Sequence, residues 1–183
     1  MDRWVMWLVL MLPLAWMSWQ YGKETIYYGE YLHWTGVQSA RLLLLTLAVT
    51  PLLRFFPRQP VVRWLMNRRR DLGLVTFAYA LAHTIAYLFR KGELQIIVSE
   101  GLEAGLLTGW IAFLVFVALA VTSNDASVRG LGRKWRRLHK AVYVAAILTY
   151  LHWVLTAFDP TAGYVHGAAA VFLLLSRLLR RRQ

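Results

Sequence analysis

Apolar residues along the chain come in six runs, at 4–19, 42–56, 72–89, 102–121, 141–158 and 162–179, separated by short polar segments. None of the runs alternates apolar and polar residues as a half-buried strand would. A hydrocarbon core about 30 Å thick takes roughly 20 helical residues. With their flanks the runs predict spans at about 4–19, 37–56, 71–90, 102–122, 140–158 and 162–180. Each is expected to be a helix, because a segment alone in lipid has to satisfy its backbone hydrogen bonds internally. The run at 42–56 is the shortest and needs its flanks to cross. Pro13 and Pro51 fall inside the first two runs and predict a kink or a lost turn, which neighbouring helices can tolerate. The first run follows Arg3, as a signal peptide would, but no small-residue cleavage site follows it, so it reads as an uncleaved span.

Composition agrees with this pattern. Of the 183 residues, 58% are hydrophobic and nine are tryptophan, against about 45–50% apolar in a soluble domain. The formal charge of +12 would suit nucleic acid if it were spread over one face. Instead the cations stand in short clusters between the apolar runs, where topology signals lie, and a nucleic-acid partner is not expected. All but Lys23, Arg41, Arg90 and Lys91 of the 21 Lys and Arg belong to Arg3, to the clusters at 54–70 and 129–140, or to the tail at 177–182. Those four lie among Glu24, Glu30, Glu93, Glu100, Glu103 and Asp159. The positive-inside rule therefore predicts that both termini are cytoplasmic. The fold class expected is an all-α polytopic membrane protein, a six-helix transmembrane bundle forming one domain over 1–183. Its loops are too short to hold a soluble catalytic module.

Without cysteine there is no thiolate metal site, iron–sulfur cluster or thiol nucleophile. No nucleotide-binding, zinc-protease or nucleophile-elbow motif occurs either. Histidines are the remaining carriers of chemistry, and an imidazole in hydrocarbon needs a partner. His83 stands 12 residues beyond Asp71, roughly 18 Å at 1.5 Å per residue, and His152 stands 13 beyond His139, roughly 20 Å. Two helices each offering an imidazole at matched depth suit a bis-histidine haem. A hydrogen-bonded packing histidine or a proton relay would use the same residues, although no acid lies deep in a span. His139 sits among Arg136, Arg137 and Lys140 at the membrane edge. Thirteen residues at about 100° each put it roughly 140° around the helix from His152, unless the helix is distorted. Arg69, near the level where a histidine would face His139, is a poor ligand and suits a propionate or headgroup. His33 and His166 read as interfacial or loop residues, and the aromatic clusters near span ends read as membrane-interface anchors.

Three stretches carry a resemblance to a known family. They are the pattern T-S-x5-R-x-L-G-x2-W-x2-L-H-x2-V-Y at Thr122 to Tyr143 followed by His152-Trp153, the segment LHWTGVQSARLLLLTLAVTPLLR from Leu32 to Arg54, and RRRDLGLVTFAYALAHTIAYL from Arg68 to Leu88. Together they resemble the MsrQ (formerly YedZ) family, the haem-bearing membrane subunits of the bacterial protein-methionine-sulfoxide reductase system, within the ferric-reductase-like transmembrane domains. The resemblance implies haem b, one or two per chain, with FMN also associated. It implies electrons arriving from a cytoplasmic flavin reductase or the quinone pool and leaving across the bacterial inner membrane. The acceptor would be a periplasmic molybdopterin methionine-sulfoxide reductase that repairs oxidised proteins. On this reading the chain is an electron-transfer subunit. His83 and His152 are axial ligands of an outer haem, and His139 ligates or borders an inner one, with Arg69 as a propionate contact. His33 falls on the family's H-x-T-G. The alternatives are a quinol-oxidising or ferric-reducing cytochrome b without that partner, and a small non-redox transporter or assembly factor.

Overall fold

A computed structural model describes residues 2–179, with side chains through Ser176. Arg180, Arg181 and Arg182 of the charged tail lie outside the described residues. Every regular element described is helical: α1 (Arg3–Gly22), α2 (Tyr28–Phe55), α3 (Pro60–Asn67), α4 (Arg69–Lys91), α5 (Leu94–Gly101), α6 (Ala104–Val121), α7 (Asp125–Leu131), α8 (Arg133–Leu138), a 3₁₀ turn (His139–Ala141), α9 (Val142–Thr156) and α10 (Thr161–Leu179).

Four segments are long and apolar enough to cross a membrane by length and composition: α2, α4, α6, and the run from α8 through α9 at Arg133–Thr156. The apolar part of α10, Thr161–Ser176, is shorter. The first helix has 20 residues, but Ser18, Gln20, Tyr21 and its tryptophans dilute its hydropathy. The structure departs from the sequence expectation most at α2. The shortest apolar run belongs to the longest helix, which begins at Tyr28 and continues through Pro51 to Phe55. Its polar N-terminal half is stabilised locally, with the Thr35 hydroxyl donating to the Tyr31 carbonyl at 2.8 Å and Tyr31 and Ser18 joined by their hydroxyls at 2.8 Å. Short helices α3, α5, α7 and α8 occupy segments that the pattern left as connections.

The second helix is central, packing against α4 most extensively and against α1, α9 and α10, while α6 packs chiefly on α9. At the heart of the bundle Ala40, Leu43 and Leu47 of α2 meet Phe116, Ala145, Ala146, Tyr150 and Ala170. Alanines here let backbones approach, which drives helix association where lipid supplies no hydrophobic contrast. The Tyr150 hydroxyl donates to the Ala40 carbonyl at 2.9 Å. On the other side Met6 and Leu14 of α1 close over Val49, Leu72, Val75 and Tyr79. The opposite stripe of α1, through Trp4, Leu8, Leu12 and Trp16, is exposed. At the base of this contact the buried Asp71 carboxylate accepts from Arg3 Nη2 at 2.8 Å, from Arg3 Nε at 3.0 Å and from Trp7 Nε1 at 3.2 Å.

Candidate functional site

Helices α2, α4, α6 and α9 enclose a cavity of about 340 Å³, into which His83 and His152 both project. Most of its wall is apolar or small, including Val37, Ala40, Ala112, Phe113 and Phe116. The two imidazoles stand 6.3 Å apart, centroid to centroid, with their planes at 90°. Each Nδ1 is 2.8–2.9 Å from a main-chain carbonyl, Leu32 for His83 and Gly105 for His152. A carbonyl only accepts, so both rings carry their proton on Nδ1 and keep an unprotonated Nε2.

This arrangement fits a haem. A metal–imidazole bond of about 2.0–2.1 Å and a ring radius of roughly 1.1–1.2 Å would put two rings held by one metal about 6.2–6.6 Å apart. An Nδ1–H donated to a carbonyl, with Nε2 left free to bind, is the hydrogen bonding that orients a metal-binding imidazole. Among the described residues no group of three or more His, Asp or Glu could hold a bare metal ion. A porphyrin, which brings four nitrogens of its own, needs only two more from the protein.

The other predicted residues lie elsewhere. A second cavity of about 340 Å³, toward the arginine-rich end, is lined by His139, Arg69, Arg70, Arg136, Lys140 and Tyr143. The 3₁₀ turn at His139–Ala141 supplies the distortion that helical phase demanded. Three residues at about 120° rather than 100° bring His139 and His152 from roughly 140° to roughly 80° apart around the rod. The His139 ring stacks on Trp135 at 3.9 Å, and its Nε2 lies 3.1 Å from Thr122 Oγ1. That hydroxyl donates to the Ala118 carbonyl at 2.7 Å, which leaves it to accept from His139 Nε2–H. His139 is therefore in the opposite tautomer to His83 and His152, and would have to exchange Thr122 for iron to become a ligand. Arg69 donates through Nη1 to Thr50 Oγ1 at 3.0 Å.

Phe116 lines both cavities. Phe77 of the second stacks on Phe113 of the first, 6.1 Å between centroids, so an aromatic partition separates the two. His33 is exposed at the mouth of the first cavity. His166 is half-buried and lies 5.1 Å from the Trp153 ring. Sequence reasoning missed the two carbonyls and the aromatic partition, because neither leaves a mark on hydropathy or on the spacing of titratable residues.

Comparison with known proteins gives a consistent result. The family model described as ferric reductase like transmembrane component matches residues 35–150. The protein-methionine-sulfoxide reductase heme-binding subunit MsrQ of Pectobacterium atrosepticum is 37% identical, over 98% of this chain and 87% of that one. Its namesake in Cronobacter sakazakii is 36% identical over 96% and 90%, and that of Brucella ovis 33% over 98% and 84%. No solved structure matches the chain.

Proposed function

The chain belongs to the ferric reductase like transmembrane components and, within them, to the MsrQ haem-binding subunits, and on that premise we propose that His83 and His152 are the axial ligands of an outer haem b. Family membership gives the role: this is a membrane haem-binding subunit of a redox system that moves electrons. The observation that carries the ligand assignment is the pair of imidazoles 6.3 Å apart, each with Nδ1 against a carbonyl.

Haem, when bound, supplies a one-electron couple whose potential answers to its ligands and surroundings. The rest is done by the chain. His83 and His152 would hold the group from α4 and α9. The Leu32 and Gly105 carbonyls hold the Nδ1 protons and so orient both rings. Val37, Ala112 and Phe116 keep the space between them apolar, which limits solvent rearrangement when charge changes. In the second cavity Arg69, Arg70, Arg136 and Lys140 offer charge-assisted hydrogen bonds to carboxylates. They support a second, inner haem with Arg69 as a propionate contact and His139 as its ligand or its border. Phe116 would then stand between the two groups, shortening the through-space gap.

All six predicted spans cross the bacterial inner membrane, with both termini in the cytoplasm and the domain running over 1–183. Electrons enter from a cytoplasmic flavin reductase or quinol and leave to a periplasmic molybdopterin methionine-sulfoxide reductase that repairs oxidised proteins. Support for the direction comes from the cation clusters on the proposed inner side. FMN joins the proposal on the family resemblance alone.

Absorption and a haem-to-protein ratio test this reading. Purified protein should show a reducible Soret band, and His83→Ala and His152→Ala should each abolish one haem component in a redox titration. His139→Ala should remove a second component if His139 ligates and retain it if His139 only borders. A protein that binds no haem would end the electron-transfer reading.

A further inference from the structure

The two histidine sites are built to one plan. In each, the carbonyl that accepts from the imidazole lies four residues before a glycine on the same helix: Leu32 and Gly36 on α2, Gly105 and Gly109 on α6. In an α-helix that carbonyl also accepts from the backbone N–H of residue i+4, the glycine itself. Its remaining acceptor capacity is shared between the imidazole and a threonine hydroxyl, Thr35 Oγ1 at 3.1 Å on Leu32 and Thr108 Oγ1 at 2.7 Å on Gly105. A side chain at i+4 leans toward the helix N-terminus and covers this carbonyl. Glycine leaves the carbonyl open, and the imidazole lies in the space left. A Cβ at Gly36 would stand 3.0 Å from His83 Nδ1 and 3.1 Å from Cε1, and a Cβ at Gly109 would stand 2.7 and 2.8 Å from the same atoms of His152.

Glycine weakens a helix interior relative to alanine, so its presence at both places needs a cause. The other glycines do not share this one. Gly29, Gly73 and Gly130 have nothing within 4 Å of a built Cβ, and only Gly36 and Gly109 meet an imidazole. The same four-residue offset and the same contacted ring atoms, at two separate helix pairs, α2 with α4 and α6 with α9, are the observation that carries the argument.

We propose that Gly36 and Gly109 are positioning residues for His83 and His152: each leaves the carbonyl four residues earlier open to the ring, and that carbonyl locks the ring as the Nδ1–H tautomer with Nε2 presented to the shared cavity. The consequence for a bound iron rests on the ligation put forward above. A carbonyl on Nδ1–H makes the imidazole a stronger donor and favours the ferric state. A methyl group that pushes the ring off the carbonyl shifts the equilibrium toward ferrous.

The test uses full-length protein carrying Gly36→Ala, Gly109→Ala or, as a control, Gly22→Ala, where a Cβ meets nothing within 4 Å. Potentiometry should show the ferric-to-ferrous ratio at fixed potential falling at least tenfold in Gly36→Ala, a rise of about 59 mV for a one-electron couple. Gly109→Ala, with the tighter contact, should shift further and lose part of its low-spin spectrum, while Gly22→Ala should match wild type. Wild-type potentials and spectra in both cradle variants would overturn the proposal. If Gly109→Ala does not accumulate, Gly36→Ala decides. If neither does, pulsed electron paramagnetic resonance on the ¹⁵N-histidine-labelled wild type decides, since a remote nitrogen without a hydrogen-bonded proton refutes the cradle. Haem retained in full by His83→Ala or His152→Ala would overturn the ligation reading and this proposal together. Loss there with unaffected glycine variants would overturn this proposal alone.

Discussion

Replacing Asp71 by asparagine should loosen the first helix from the bundle by a predictable amount. Asp71 gathers three donors, Arg3 Nη2 and Nε and Trp7 Nε1, and is the polar clamp between α1 and α4 beside the apolar contacts of Met6 and Leu14. Breaking a fully buried ion pair costs about 3–5 kcal/mol, whereas an exposed pair is worth about 0.2–1 kcal/mol. The Asp71 side chain is 7% exposed and that of Arg3 51%, so the pair lies between these limits. With asparagine still able to accept one hydrogen bond, the loss should be about 1–2 kcal/mol, or roughly 5- to 30-fold in the opening of α1. The chain has no cysteine, so a single Met6→Cys placed in this buried contact can be labelled by a maleimide without background. Its labelling rate should rise by that factor when Asp71→Asn is added. Arg3→Ala on top of Asp71→Asn should add little, because the pair is already broken. A labelling rate within twofold of the Met6→Cys parent would refute the clamp.

Other outcomes follow from single contacts. Tyr150→Phe removes the bond to the Ala40 carbonyl and should lower stability in a detergent unfolding titration by about 0.6–1.7 kcal/mol, from the average to the maximum found for hydrogen bonds between membrane helices; no loss would mean that the carbonyl finds another donor. Asp125, bonded by Arg70 Nη1 at 2.6 Å, has its carboxyl held below the usual carboxylate range by that guanidinium. The pair's contribution should be complete above about pH 4, the usual carboxylate value, and disappear as pH falls through the lowered one. Thermal unfolding from pH 6 to pH 2 should show this component in wild type and not in Asp125→Asn, with high salt shrinking it because both side chains are exposed.

Hydropathy and spacing made the long helices legible, because apolar runs in lipid have few alternatives to a helix. They misjudged α2, whose N-terminal half reads as polar. Tyr31, Thr35 and Ser39 there turn their hydroxyls to neighbouring helices or to the preceding turn, and a hydropathy sum cannot see such partners. Counting residues from the arginine clusters put His83 and His152 at one depth, and their rings do face each other. Depth is a one-dimensional quantity that the 1.5 Å rise preserves. Azimuth is not preserved. The 3₁₀ turn at His139–Ala141 changes which way His139 points, and no local residue pattern announced it. Gly36 and Gly109 stood in plain view, but a glycine acquires meaning only from the helix packed on it.

The central claim is that two imidazoles from α4 and α9 hold one haem between them, and electron paramagnetic resonance of the ferric protein tests it most directly. Two axial rings at 90° should give a strongly anisotropic low-spin signal, the signature of perpendicular imidazole planes, and that signal should vanish in both His83→Ala and His152→Ala. A near-axial high-spin spectrum in wild type, or the low-spin signal surviving in either variant, would contradict the account.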